Sequence, residues 1–392
     1  MYRFDEVIER KGTNSLKWDG LEQRYGASDL LPMWVADMDF KAPQPVLDAL
    51  TNRVQQGVFG YITPSSSVNE AIVNWASRRY EWEIDSSSIV HTVGIVPTIS
   101  NLVKVFTEPG DEVIIQTPVY YPFYDVISKN DRSIVRNPLL QDENGQFTMD
   151  LTQLEASITE KTKMLVFCHP HNPGGRVWSR QELEELAALC KKYDLLVVSD
   201  EIHADLLFDG YNHIPFASIN EDMADRTFTC LAPTKTFNLA GIIASYIVIQ
   251  NKKRRLDLKR YLESTFMNSP NSFAALATEV AYNEGEEWLH ELMQYVQQNY
   301  QFTADFIHTN MPKINVIKPQ GTYLLWLDFS QLPLEADERK QWLVEEAKVA
   351  LNHGPMFGEE AENFERLNLA CPRETLQKGL NQIKQAYEKQ QF

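Results

Sequence analysis

Short runs of apolar residues recur along the middle of the chain, and helical or polar stretches separate them. Because these runs are apolar without interruption instead of alternating, they are typical of strands that are buried on both faces. The runs lie at 112–116, 163–168, 195–200, 227–232 and 244–249. Between two of them, residues 180–193 place Leu183, Leu186, Ala187 and Cys190 on one helical face. The pattern therefore predicts an α/β layer with a largely parallel sheet between helices.

The pattern changes in the last part of the chain. A long helical pattern runs from about residue 284 to residue 309, and a strand (322–329), a helix (338–351) and a final helix from Glu374 follow it. Residues 1–45 show no regular period. We therefore predict a large domain over 46–284 and a smaller α+β domain, in which 285–392 joins the N-terminal segment 1–45.

The composition is that of a folded protein with an acidic surface. The 392 residues are 43% hydrophobic and 23% charged, and this length suggests two or three domains. The net charge of −17 argues against nucleic acid or an anionic membrane as the main partner. No apolar run is long enough to span a membrane, and the N-terminus is charged where a signal peptide would be apolar. Four widely spaced cysteines predict reduced thiols in a cytoplasmic protein.

Polar and aromatic side chains follow the predicted strands. Tyr120 follows the first run and Asn172 the second, whereas Asp200 ends the third and Lys235 follows the fourth. Because ligands of parallel sheets bind beyond the carboxyl ends of the strands, we expect these groups to converge on one crevice. A lysine amine can form a Schiff base with an aldehyde cofactor, and a carboxylate can keep a pyridinium nitrogen protonated. An aromatic ring can stack on such a cofactor, and an Asn amide can donate to its phenolate oxygen.

Five longer stretches carry a resemblance to a known family. They are PMWVADMDF (32–40), FGY (59–61), DEIHAD (200–205), KTFNLAG (235–241) and RLNLACPR (366–373). The chain resembles the fold-type I pyridoxal-phosphate (PLP) enzymes of the class I/II aminotransferase superfamily, and within it the MalY/PatB branch of cystathionine β-lyases, which are carbon–sulfur lyases. The resemblance implies the fold of these PLP-dependent transferases, a seven-stranded, mostly parallel sheet between helices with a smaller α+β domain.

The resemblance also implies how the cofactor is held. Lys235 would form the Schiff base with PLP, Asp200 would pair with its ring nitrogen and Asn172 would bond its O3′ oxygen. Tyr120 would stack on the ring. Backbone amides at a helix start would bind the phosphate. The remaining implied cofactor contacts are Gly94, Ile95, Val96, His203, Thr234 and Tyr61.

Tyr61 matches a tyrosine that reaches the phosphate of the neighbouring subunit, so the resemblance implies a homodimer with its active site at the subunit interface. Arg366 in the R-x-N-x-A pattern matches the arginine that binds the substrate α-carboxylate, and Arg373 is the alternative. A planar guanidinium suits such a carboxylate. Val35 and Ala36 match a strand that approaches the substrate beside Tyr120 and Asn172.

Two departures from the typical aminotransferase favour the lyase branch. His203 stands three residues after Asp200, where aminotransferases usually carry Tyr, and Ile243 stands eight residues after Lys235, where they usually carry a phosphate-binding Arg. The predicted activity is β-elimination from cystathionine, cystine or an S-alkyl cysteine, which releases a thiol, pyruvate and ammonia. An aminotransferase and a PLP-binding regulatory protein remain the alternatives.

Other chemistries have weaker support in the sequence. Cys168, His169 and His171 lie close together, but partners at zinc-site spacing are absent, so we predict no metal site. No GxGxxG follows a predicted strand and no GxxxxGK[ST] occurs. A nicotinamide dehydrogenase and a nucleotidase are therefore not expected.

Overall fold

The computed structural model describes residues 2–63 and 65–392, and its centre is a seven-stranded sheet. The strands are β1 (Ile89–Thr92), β2 (Glu112–Thr117), β3 (Ser133–Pro138), β4 (Thr162–Cys168), β5 (Leu196–Asp200), β6 (Thr227–Leu231) and β7 (Ser245–Val248). Their order is β1-β7-β6-β5-β4-β2-β3. Only β7 runs against its neighbours, whereas the other adjacent pairs are parallel. The predicted, largely parallel sheet is confirmed.

Both faces of this sheet are buried, as the uninterrupted apolar runs indicate. Ile115 and Val166 pack in one core, and Ile114 and Leu165 pack in another on the opposite face. The sequence pattern missed β1 and β3, which are the two edge strands of the sheet. The reason is clear for β3, because most of its residues are partly or fully exposed and do not form an apolar run.

Helices surround the sheet, in direct contact with it or packed on other helices. Their bounds are Gln44–Gln56, Ser66–Tyr80, Ile95–Phe106, Pro122–Ser128, Leu151–Ser157, Arg180–Lys192, Glu221–Arg226, Lys252–Ser264 and Ser272–Glu284. The predicted helix over 180–193 is present, and a capping box between Ser179 and Glu182 defines its start. It buries the four predicted apolar residues.

A second, antiparallel sheet forms the smaller part of the molecule. Its strands are β8 (Asn315–Val316), β9 (Leu324–Asp328), β10 (Asn352–His353) and β11 (Phe364–Asn368), in the order β8-β9-β11-β10. The helices Glu286–Asn310, Ala336–Glu345 and Arg373–Gln390 accompany it. This arrangement agrees with the predicted α+β region, although the domain boundaries themselves stay a prediction.

The predicted helix over 338–351 is wrong in its second half. The helix ends at Glu345, and Lys348 has a positive φ of 55°, which a helix does not accommodate. Val349–Ala350 then pairs in parallel with Leu31–Pro32. Two short helices, Leu16–Asp19 and Leu21–Tyr25, also lie in the N-terminal segment that showed no period. The strand pairing joins this segment to the C-terminal part of the chain.

Among the described residues, no helix combines the length and the apolar character that crossing a membrane requires.

Candidate active site

A cavity of about 190 Å³ opens at the carboxyl ends of the central strands. Most of the predicted site residues line it, namely Ala36, Gly94, Ile95, Val96, Tyr120, Asn172, Asp200, His203, Thr234 and Lys235. Ala36 belongs to the N-terminal segment, and the others lie at or beyond the ends of different strands, which the sheet brings to one edge. Cys168 and Ile243 complete part of the wall.

Lys235 lies in the short helical turn Pro233–Thr236 that follows β6. Its Nζ donates to the carbonyl oxygen of Ala36 at 2.6 Å. Burial is the largest effect on this amine and lowers its pKa to about 8, against the opposing charges of Asp37 and Asp200. A lysine with such a pKa is neutral more often at pH 7 than a solvated one, so it is a better nucleophile and base.

The turn that carries Lys235 is anchored by a buried carboxylate. Thr236 donates its hydroxyl to Asp205 at 2.7 Å, and Asp205 also accepts from the indole of Trp75 at 3.0 Å. Tyr80 donates to the same carboxylate. The position of the lysine therefore depends on contacts on the side of the turn away from the cavity.

Asp200 is the last residue of β5 and faces the cavity. One carboxylate oxygen accepts from the backbone N–H of Ile202 at 3.2 Å. Burial raises the pKa of this carboxyl to about 7, and the neighbouring Glu201 adds to the rise. A cation close to the Asp200 carboxylate would stabilise its ionised form. A protonated pyridine nitrogen is such a cation.

The segment before the helix Ile95–Phe106 forms an anion-binding end. Gly94 has φ 105°, a conformation that favours glycine, and its N–H donates to Ser245 Oγ at 2.7 Å. Ile95 and Val96 belong to the first helical turn, so their N–H groups have no acceptor within the helix. The helix dipole adds a partial positive charge at this point, which suits a phosphate.

His203 and Tyr120 flank the same cavity. Burial, together with the charges of Lys235 and Arg366, lowers the pKa of His203 to about 3, so the ring is neutral at physiological pH. Its Nδ1 is buried and has no hydrogen-bond partner among the residues that the structure describes. Burial also raises the pKa of Tyr120 to about 12, so its phenol stays protonated.

Arg366 lies next to the cavity and reaches it through Asn172. Its Nη1 donates to Asn172 Oδ1 at 2.8 Å, and its Nη2 donates to Asn352 Oδ1 at 2.5 Å and to the Trp34 carbonyl at 3.2 Å. The guanidinium also lies over the ring of Phe357, at 4.9 Å. Burial lowers the pKa of Arg366 to about 10, so the group remains a cation.

The N-terminal segment around Ala36 is held by side chains that bond its backbone. Asn368 donates to the carbonyls of Val35 and Asp37, each at 2.6 Å. Tyr323 donates to the Ala36 carbonyl at 2.9 Å, the same oxygen that accepts from Lys235. The backbone of this segment therefore follows the cavity wall closely, although the Val35 side chain does not line the cavity.

Two predicted residues lie away from the cavity of their own chain. Tyr61 is fully exposed, so within one chain it contacts no part of the site. Arg373 donates to Asn299 Oδ1 at 2.7 Å and lies 4.5 Å from the centre of the Phe302 ring. A role of Arg373 in carboxylate binding has no geometric support, and of the two candidate arginines only Arg366 adjoins the cavity.

The side chains around the cavity fit PLP. The buried Lys235 amine, whose pKa is lowered, shares the cavity with the buried Asp200 carboxylate, which forms no ion pair with any residue in 2–63 or 65–392. Backbone N–H groups at a helix start suit a phosphate. The aromatic ring of Tyr120 supplies a stacking surface beside them. This donor set matches the amine, pyridine, phosphate and ring contacts that the cofactor needs.

Comparison with known proteins agrees with this geometry. Residues 29–383 match the family model described as aminotransferase class I and II. The chain belongs to this family. The cystathionine beta-lyase PatB of Bacillus subtilis (strain 168) is 44% identical to this chain over 98% of this chain and 99% of its own length. Protein MalY of Escherichia coli (strain K12) is 35% identical over 97% of each chain.

Solved structures extend the comparison within the family. Cystalysin from Treponema denticola, which contains PLP, has a TM-score of 0.96 at 36% identity and covers all of both chains. The PLP-bound C-S lyase from Staphylococcus hominis has a TM-score of 0.91 at 35% identity, over 98% of each chain. The predicted family, fold, PLP cofactor and carbon–sulfur lyase class are confirmed.

The sequence analysis missed several polar residues that surround this cavity. Asn238 and Asn368 lie inside the quoted motifs, and Asn238 bonds the backbone of Met38 and Phe40. Their position in those motifs was the available signal. Ser245, Tyr323 and Asn352 had no such signal, because each meets a group that is distant along the chain.

Proposed function

We propose that the chain catalyses PLP-dependent β-elimination from sulfur amino acids, with L-cystathionine, cystine or an S-alkyl cysteine as substrate. The observation that carries the proposal is the buried Lys235 amine, which faces the Asp200 cavity beside the Arg366 cation. The names of PatB and of the Staphylococcus lyase support the choice of a carbon–sulfur bond as the one that breaks. The products would be a thiol, pyruvate and ammonia.

Each residue of the site would have a distinct task. When bound, PLP supplies an electron-accepting ring that stabilises the charge left at Cα after proton loss. Lys235 would remove that proton, as its lowered pKa allows. Asp200 would hold the ring nitrogen in its protonated form, and Tyr120 would stack on the ring. Arg366 would orient the α-carboxylate of the substrate.

Further contacts would secure the cofactor. Asn172 accepts from Arg366 through its side-chain oxygen, which leaves the amide nitrogen to donate to O3′. The neutral His203 would assist at the same oxygen. Ile95 and Val96 would bind the phosphate with their N–H groups, helped by the Thr234 hydroxyl, and Gly94, whose N–H donates to Ser245, would shape the turn around it. Ile243 provides no cation there, so the helix end would take a larger share of the phosphate charge.

The deciding experiment uses the PLP-loaded protein with L-cystathionine and no 2-oxo acid. We expect equimolar release of pyruvate and thiol over many turnovers. Slow conversion of the cofactor to its amine form without thiol release, and turnover only after a 2-oxo acid is added, would replace the lyase by an aminotransferase. PLP binding without turnover of any sulfur amino acid would favour the regulatory alternative.

We also propose a homodimer that works in the cytoplasm. Val58, Phe59, Tyr61, Ile243 and Phe266 are more than half exposed in the single chain, which suits a surface covered by a second copy. Tyr61 would then reach the phosphate of the neighbouring subunit. All four cysteines are buried and free, which suits a reducing compartment.

A further inference from the structure

Arg366 is a buried cation whose partners are all neutral. It is 3% exposed, and it donates to the amide oxygens of Asn172 and Asn352 and to the carbonyl oxygen of Trp34. Within residues 2–63 and 65–392, no carboxylate forms an ion pair with it. Its Nε is buried without a hydrogen-bond partner. A buried cation without a counter-ion is costly, so this arrangement favours the entry of an anion.

Asn352 is placed opposite Arg366 by strand pairing. In the antiparallel pair of β10 and β11, Asn352 is the direct partner of Arg366. Directly paired residues project from the same face of a sheet, so the amide meets the guanidinium across the pair. Asn352 is only 2% exposed.

The strand that carries Asn352 is held on both sides. Tyr25 donates to the carbonyl of Leu351 at 2.8 Å, and His353 bonds Glu365 at 2.9 Å. A Cβ at Gly354 would overlap the carbonyl oxygens of Ala361 and Phe364, so only glycine permits this turn. The amide oxygen of Asn352 therefore has little freedom to move away from Arg366.

We propose that Asn352 is a positioning and specificity-determining residue, which orients Arg366 through a neutral acceptor and so reserves its positive charge for the substrate α-carboxylate. An amide oxygen satisfies one N–H of the guanidinium without neutralising it. A carboxylate at the same place would form an internal ion pair and repel the incoming substrate carboxylate. This inference rests on the proposed role of Arg366 in substrate binding.

The test measures binding of two ligands that cannot undergo thiol elimination, L-alanine and L-alaninamide, through the absorbance change of the PLP-loaded enzyme. They differ in the carboxylate alone. We expect Asn352→Asp to weaken L-alanine binding by about tenfold or more and to leave L-alaninamide within about threefold. With L-cystathionine, we expect KM to rise more than kcat falls.

Control variants separate the possible failures. Asn363→Asp makes the same chemical change at an exposed residue before β11 and should alter neither ligand. Asn352→Ser keeps a neutral acceptor on a shorter side chain, so it should weaken L-alanine binding less than Asn352→Asp does. This variant also replaces the Asp variant if that one does not fold. Equal weakening of both ligands, or of neither, overturns the role of Asn352.

Arg366→Leu tests the underlying proposal independently. If it selectively weakens L-alanine while Asn352→Asp does not, Arg366 binds the carboxylate and only the inference on Asn352 is wrong. If Arg366→Leu weakens the binding of L-alanine and L-alaninamide equally, Arg366 does not bind the substrate carboxylate. The inference on Asn352 is then wrong as well.

Discussion

The two halves of the site are built in different ways. In the cofactor half, the residues at Gly94–Val96, Tyr120, Asp200 and Lys235 each lie where a strand of one sheet ends or a helix begins. In the substrate half, the segment 34–38 accepts hydrogen bonds from Arg366 and Asn368 of the smaller sheet, near the opposite end of the chain, and Arg366 in turn donates to Asn352. The cofactor half depends on local turns, whereas the substrate half depends on amide side chains that bridge distant segments.

Replacing Lys235, in the cofactor half, should give the largest loss of lyase turnover of all the changes described below. Lys235→Ala removes the proposed base, so lyase turnover should fall by about 10³-fold. The absorbance of PLP bound through the lysine should disappear. Assays of pyruvate and thiol measure the first change and a visible spectrum the second. Lys163→Ala, at an exposed lysine, is the control, and turnover near the wild-type rate in Lys235→Ala would refute the assignment of the base.

Hybrid dimers of two variants with impaired sites test whether residues of both subunits form the cofactor half of each site. If Tyr61 serves the neighbouring subunit, Lys235→Ala and Tyr61→Ala chains can form hybrid dimers with one intact site. After unfolding and refolding together, random pairing should restore about a quarter of the wild-type sites. Titration with substrate and measurement of turnover give that fraction. Recovery no greater than the sum of the separate variants would show that Tyr61 acts within its own chain or not at all.

The stability of the cofactor-free protein should depend on pH through Asp200. Its pKa is raised to about 7 in the folded chain, so the folded state retains a proton that the unfolded state has lost. The stability that this proton provides is complete below about pH 4 and disappears as the pH rises through 7. Asp200→Asn should lack this loss.

Urea unfolding of both cofactor-free proteins between pH 4 and 8 measures the effect. The wild type should lose on the order of 3 kcal/mol relative to the variant across this range. Asp194→Asn, at an exposed aspartate, should behave as wild type. Parallel pH profiles for wild type and Asp200→Asn would mean that solvent or another group already stabilises the buried carboxylate.

The smallest predicted change tests the substrate half. Asn368→Ala leaves the carbonyls of Val35 and Asp37 without their donor, which should lower the free energy of unfolding by about 2 kcal/mol. KM should rise, because the segment beside the substrate is less constrained. Thermal unfolding and steady-state kinetics check both effects against Asn363→Ala. A stability loss with unchanged KM would remove this segment from substrate binding.

The ease of prediction differs between the same two halves. Lys235, Asp200, Asn172 and Tyr120 were predictable because each ends or follows an apolar run, and parallel strands bring their carboxyl ends to one edge. The phosphate-binding end was predicted at Gly94–Val96, and a helix does begin there, at Ile95. Asn352 was not predictable, because its neighbour Arg366 is opposite it only through β10 and β11 pairing, and the pattern placed residue 351 in a helix.

The sequence alone determined the α/β class and the positions along the chain of five buried strands, and it predicted the polar residues at their ends, since hydrophobic periodicity and motif spacing are local properties. Only the tertiary structure placed Arg366, and not Arg373, beside the cavity, placed Tyr61 outside the cavity of its own chain, and showed the neutral surroundings of Arg366. These features depend on which distant segments meet and on how deeply their polar groups are buried. Burial is also the largest influence on the pKa of Lys235 and of Asp200, and the depth of burial cannot be read from a local pattern of residues.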